Sequence, residues 1–222
     1  MSRTVICDSA AEAVAGIPDG ATVLVGGFGM AGMPTTLIDA LIEQGARDLT
    51  VVSNNAGNGG TGLAALLAAG RVRKVIWSFP RLSDSYVFDG LYRAGKIALE
   101  VVPQGNLAER MRAAGGGIGA FFCPTAVGTP LAEGKELRTI DGRDYELEYP
   151  IRGHVALIGA HIGDRAGNLV YRKTARNFGP VMATAAKLTI AEVSRVVDPG
   201  QIDPEVVVTP GIYVDRILEV SR

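Results

Sequence analysis

Hydrophobic positions in the first half of this chain alternate between two periods. Short apolar runs rich in β-branched residues read as buried strands: 22–25 (TVLV), 49–53 (LTVVS), 73–79 (RKVIWSF) and 97–103 (IALEVVP). Each is followed by a stretch with helical spacing. After the first, Leu37, Ile38, Leu41 and Ile42 fall on one face of a helix that Gly45 ends. Further helices are predicted over 61–70, 85–95 and 105–117, the second of these capped by Asp84. A short helix begins earlier, where Ser9 and Glu12 form a capping box. Strand, loop and helix repeated four times imply a parallel sheet with helices on both faces.

The second half has a different rhythm. Residues 136–140 and 145–149 flank Asp141-Gly142-Arg143, the signature of a β-hairpin. Strands are predicted over 154–162 and 169–171, a short helix over 180–187 and a long strand over 188–197. No linker interrupts the pattern. The expectation is one α/β domain over 1–222: an open, mostly parallel sheet with helices on both faces plus a β-hairpin elaboration.

Composition narrows the function classes. A chain of 222 residues buries an ample core without disulfides. Its net charge of −1 gives nucleic acid no electrostatic reason to bind. Cys7 and Cys123 are far apart and are expected to be reduced thiols. The absence of an 18-residue apolar run and of a signal-peptide pattern predicts a soluble, cytoplasmic protein with no membrane partner. His154 and His161, seven apart in one predicted strand, would face opposite sides, so they are expected to be structural and no metal site is expected.

The loop GGFGMAGMP, 26–34, joins the first of these strands to its helix, with Pro34 suited to the first helical position. Its glycines let the backbone approach a ligand, and N–H groups at the helix start would favour an anion or a developing oxyanion. Gly27, Gly29 and Gly32 also spell the dinucleotide fingerprint. That fingerprint needs an acidic residue at the end of the next strand; Asn54-Asn55 stands there instead.

Ligands of open parallel sheets bind beyond the strands' carboxyl ends. Those ends carry Gly26, Gly27, Phe28 and Gly29, then Asn54 and Asn55, then Pro80-Arg81, then Gln104 with Gly105 and Asn106. Amides, glycines and one fixed cation suit a carboxylate or an acyl oxyanion. The same amides could equally tie loops together. The basic run Arg172-Lys173-Thr174-Ala175-Arg176 could meet phosphates or form a solvated surface. There is no Ser-His pair, no thiol beside a histidine and no carboxylate dyad. The chain offers stabilisers without a nucleophile. It is either a binder or half of a site whose reactive group arrives on another chain.

Four segments resemble the family I coenzyme A transferases: DGATVLVGGFGMAGMP (19–34), SNNAG (53–57), VVPQGNLAERMRAAGGG (101–117) and RKTARNFGPVMATAA (172–186). The resemblance spans nearly the whole chain and implies the A subunit of a two-chain CoA-transferase, paired with a B subunit in a heterodimer or heterotetramer. It implies ping-pong chemistry. A glutamate attacks the acyl-CoA thioester to give a mixed anhydride, CoA thiolate returns to form an enzyme–CoA thioester, and the incoming acid reverses the steps. That glutamate belongs to the B subunit. CoA is then a substrate, and no cofactor is implied. Gly26, Gly27, Phe28, Gly29, Met30, Ala31 and Gly32 would contact CoA or the acyl group, with Asn54, Asn55 and Gln104 bordering the glutamate and its oxyanions. PTAVGT (124–129) departs from the family's PTGYGT at Ala126 and Val127. The run from Ser78 to Asn106 resembles members acting on 3-oxoadipate with succinyl-CoA, rather than on acetoacetate. Arg81 is the candidate for the distal carboxylate of such an acid. A non-catalytic dinucleotide- or acyl-CoA-binding module is the competing reading from another class.

Overall fold

A computed structural model describes residues 4–79 and 84–220. In chain order its elements are β1 (Val5–Cys7), α1 (Ala10–Ala13), β2 (Thr22–Val25), α2 (Thr35–Gln44), β3 (Leu49–Asn55), α3 (Leu63–Ala68), β4 (Val72–Phe79), α4 (Tyr86–Arg93), β5 (Ala98–Val101) and α5 (Gln104–Gly115). There follow β6 (Phe121–Cys123), β7 (Leu137–Ile140), β8 (Arg143–Glu148), β9 (Gly153–Gly159), β10 (Ile162–Asp164), β11 (Leu169–Val170), α6 (Gly179–Ala185), β12 (Ala186–Val193), β13 (Arg195–Val197) and β14 (Arg216–Glu219).

Eight strands form one sheet in the order β1-β14-β12-β9-β2-β3-β4-β5, and every neighbouring pair is parallel. From β2 the chain winds outward through β3, β4 and β5. It then returns to the other side of β2 as β9 and winds outward again. The reversal between β2 and β9 opens a crevice at their carboxyl ends, where doubly wound sheets bind ligands.

Period-two alternation sends successive strand side chains to opposite faces. Val23 and Val25 meet Leu37, Leu41, Leu66 and Phe88, whereas Leu24 between them joins Leu107, Met111 and Met182. Helices α1–α4 therefore cover one face and α5–α6 the other, as the sequence predicts. Each fully buried leucine in these layers contributes roughly 1.5–3 kcal/mol.

Three boundaries differ from the sequence expectation, and each matters to the site. β3 runs through Asn55, which pairs with Phe79, so the asparagines are strand residues and both are buried. The predicted strands 154–162 and 188–197 each break. β9 stops at Gly159 and β12 at Val193, and their continuations pair with one another as β10 and β13 in a separate small sheet with β11. Apolar residues stand on both sides of Ala160-His161 and of Ser194, so the pattern does not register a strand that changes sheets. His154 and His161 thus do not share a strand, and the parity reasoning about them fails. His154 Nδ1 accepts from Thr22 N at 2.9 Å, a structural bond, whereas His161 lies past the end of β9.

The hairpin is present. Asp141 and Gly142 have φ of +49° and +76° between the paired Ile140 and Arg143, as a type I′ turn requires. Its strand β8 also pairs with β6, which the sequence pattern does not reveal. Asp84 is not the cap of α4, whose N-cap position is Ser85. Among the described residues no helix is long and apolar enough to cross a membrane, and no cluster of three or more His, Cys, Asp or Glu could hold a metal ion.

Candidate active site

Val25 ends β2, and the chain turns away through the glycine loop. Phe28 and Ala31 exchange backbone hydrogen bonds of 3.0 and 3.2 Å, closing a tight turn over Gly29 and Met30. Gly29 has a φ of +60° with open space where a Cβ would stand, so it is glycine for the turn. Gly32 is glycine for packing: a Cβ there would lie 2.5 Å from the Ala175 carbonyl oxygen. A Cβ on Gly159 would lie 2.7 Å from the Gly32 carbonyl oxygen. Three backbones, from the ends of β2 and β9 and from the basic run, thus stack directly on one another.

Asn177 locks that stack. Its Oδ1 accepts from Gly27 N at 3.2 Å and Phe178 N at 2.7 Å, while its Nδ2 donates to Ala31 O at 2.9 Å and Thr174 O at 2.8 Å. The basic run 172–176 is therefore a wall of the site, not a detached surface, with Lys173–Arg176 forming a 3-10 turn beneath the glycine loop. Nothing in hydrophobic periodicity marks Asn177; its position after the basic run is the only signal.

Part of the start of α2 is used within the protein. Pro34 is its N-cap, and the Leu37 N–H in its first turn donates at 3.1 Å to Oε2 of Glu192, a fully buried carboxylate on β12. One N–H group of the helix start is thus taken by a carboxyl group of the protein itself. Gly29 and Met30, at the tip of the loop, keep N–H groups that meet no acceptor among the described residues.

At that tip lies a cavity of about 350 Å³ lined by Gly29, Asn54, Asn55, Ser78, Phe79 and Gln104, with Phe28. Asn54 Oδ1 accepts from Gln104 Nε2 at 2.7 Å and from Ser78 Oγ at 2.8 Å. Two donors on one oxygen fix the amide's orientation, so its Nδ2 is turned away from both. Ser78 escapes notice in the sequence because it sits inside an apolar strand run. Asn55 behaves differently: its Oδ1 accepts from Gly57 N at 2.9 Å and folds the following loop. Gln104 is the first residue of α5, and Asn54 the penultimate residue of β3, so strand end and helix start hold the two amides together. Arg81 lies outside the described residues.

Cations gather beside the glycine loop. A cavity of about 540 Å³ at the switch point is lined by His161, Arg172, Lys173 and Ser194 among others. The hydroxyl of Tyr171, next to the basic run, has its pKa pushed up to about 12 by burial, against the opposing pull of its Thr209 hydrogen bond and the Arg176 charge. It is a neutral phenol at any physiological pH.

An edge of neutral amide donors, free loop N–H groups and cations can hold acyl and carboxylate oxygens, and no carboxylate dyad stands among the described residues that line it. The coenzyme A transferase family matches residues 7–220, and the chain belongs to that family. It is 69% identical to the A subunit of 3-oxoadipate CoA-transferase from Pseudomonas putida, over 96% of this chain and 93% of the relative. It is 51% identical to the A subunit of succinyl-CoA:3-ketoacid coenzyme A transferase from Xanthomonas campestris, over 94% of this chain and 86% of that one. Among solved structures, an acyl-CoA transferase from Escherichia coli O157:H7 superposes with a TM-score of 0.85 at 25% identity. That match takes in 98% of this chain but 47% of the E. coli chain, so this chain spans about half of that protein's length.

Proposed function

We propose that this chain is the A subunit of a two-chain CoA-transferase that moves CoA from succinyl-CoA to a 3-oxo acid, 3-oxoadipate. The observation that carries the reading is the 69% identity to the A subunit of a 3-oxoadipate CoA-transferase over nearly the full length of both chains. The geometry is consistent with it. The amide side chains of Asn54 and Gln104 and the backbone of Gly29 line one cavity and bring hydrogen-bond donors to it. Donors so placed stabilise the oxyanions of each acyl transfer. The carboxylate that forms the anhydride and the CoA thioester is supplied by the B subunit, in keeping with the resemblance to family I enzymes.

The B subunit closes the site over this edge. Phe28, Met30 and Phe79 stand there with more than half their surface exposed, an apolar patch that an obligate partner would cover. The dinucleotide reading loses its footing on the same observation that defines the site. At the end of β3 the ribose-binding carboxylate is replaced by Asn54, whose oxygen is already committed to Gln104 and Ser78.

The test is CoA transfer from succinyl-CoA, with 3-oxoadipate and acetoacetate as acceptors, by the chain assembled with its B subunit. Preference for 3-oxoadipate supports the reading. Preference for acetoacetate assigns the chain to the succinyl-CoA:3-ketoacid branch.

A further inference from the structure

The proposed donor and acceptor share a feature that the amide cluster does not read. Succinate and 3-oxoadipate each carry a second carboxylate at the end of a short carbon chain. An enzyme that distinguishes such acids needs a fixed cation a short way from the reacting carbonyl. A groove of about 420 Å³ leads away from Gln104. Phe28 and Gln104 line both this groove and the amide cavity, so the two adjoin. Arg112 and Arg176 also line it, and no carboxylate among the described residues does.

The two arginines are not equivalent. Arg112 extends along the outer surface of α5 and pairs with Glu109 at 2.8 Å, with two-thirds of its side chain exposed. Its charge is already answered. Arg176 makes no ion pair among the described residues. Its backbone is also held rigidly. It ends the 3-10 turn, and the next residue is Asn177, whose four hydrogen bonds tie that turn to Gly27 and Ala31 of the glycine loop. A cation on so constrained a segment is positioned before the ligand arrives, which reduces the ordering cost of binding.

Resting on the function proposed above, we infer that Arg176 is the specificity-determining cation of this site, binding the distal carboxylate of the dicarboxylic substrates in the groove between Gln104 and α6. The reacting carboxyl then lies under the amides of Asn54 and Gln104, the carbon chain passes Phe28, and the guanidinium receives the far end.

The measurement is kcat/KM for two acceptors in the assembled enzyme: 3-oxoadipate and 3-oxohexanoate, which has a methyl group in place of the distal carboxylate. In ping-pong kinetics the acceptor's kcat/KM reports the second half-reaction alone, so effects on the succinyl donor do not enter. Arg176→Gln is expected to cut the preference for 3-oxoadipate over 3-oxohexanoate by about 100-fold, the scale for removing one partner of a charge pair. Arg176→Lys is expected to restore part of it. Equal losses on both acceptors would show a role in folding or intersubunit contact and overturn the inference. So would an unchanged ratio, or a selective loss seen with Arg81→Ala and not with Arg176→Gln. A wild-type complex that transfers CoA to neither acid refutes the activity reading instead. The subsite is then judged by titration of the complex with adipate, where weaker binding by Arg176→Gln supports it and equal binding overturns it.

Discussion

At the scale of single residues, the site depends on one shared acceptor. Asn54 Oδ1 takes hydrogen bonds from both Gln104 and Ser78, so it sets the position of the Gln104 amide. Gln104→Ala is expected to lower kcat about 100-fold, the usual cost of one oxyanion donor, with a smaller change in KM. Asn54→Ala is expected to cost at least as much, because Gln104 loses its anchor as well. Steady-state kinetics of the assembled enzyme, with thermal melts as the control for folding, separate these outcomes from general destabilisation. Asn55→Ala should fall on the other side of that control, lowering stability by about 1 kcal/mol through its lost bond to Gly57. Gln104 and Asn54 are legible in the sequence because they follow apolar runs at the ligand edge of a parallel sheet. Adjacent Asn54 and Asn55 look like a pair only because sequence does not show which way each side chain turns at a strand's end. Asn177 has no such marker; its role comes from a meeting of segments 150 residues apart.

Elements carry the next level of control. Helix α5 brings Gln104 to the site, and Glu100 on β5 fastens that helix, pairing with Arg110 at 2.9 Å and with Lys74 on β4 at 2.7 Å. Burial raises the affinity of Glu100 for a proton, but the hydrogen bonds and charges of Lys74 and Arg110 outweigh it and hold the carboxyl below its usual 4.5. A depressed carboxylate stabilises the fold above its unfolded pKa and loses that contribution as pH falls through its folded value. The melting-temperature gap between wild type and Glu100→Gln should therefore be present at neutral pH and close as pH falls below about 4.5. A constant gap would mean that the pair does not hold α5. The glycine loop makes a second prediction at this scale. Gly32→Ala places a methyl against the Ala175 carbonyl at a φ of +74° and should cost more than about 2 kcal/mol. Gly29→Ala meets open space and should cost about 1 kcal/mol, from its φ alone. Denaturant melts of the two variants test the difference. The strands, helices and hairpin are legible from periodicity. The exchange of β9 and β12 into a second sheet is not, because apolar residues stand on both sides of the break. The internal use of the Leu37 N–H at the start of α2 is hidden for a related reason: its acceptor, Glu192, lies on a strand 155 residues away.

For the whole molecule, the sheet's reversal between β2 and β9 sets the glycine loop, the amides and the basic run along one edge. Among the described residues that edge gathers amides, backbone N–H groups and cations, and the proposed function takes the attacking carboxylate from the B subunit. Phe28, Met30 and Phe79 are exposed there, where the proposed B subunit would cover them. A split site of this kind makes a specific demand on where the covalent intermediate forms. The most direct measurement is to incubate the assembled complex with succinyl-CoA, reduce the enzyme-bound thioester with borohydride, and locate the altered glutamate by mass spectrometry. The modification is predicted on a glutamate of the B subunit, with this chain unmodified and inactive when assayed alone. A modified glutamate in this chain, or turnover without the B subunit, would contradict the division of the active site between the two chains.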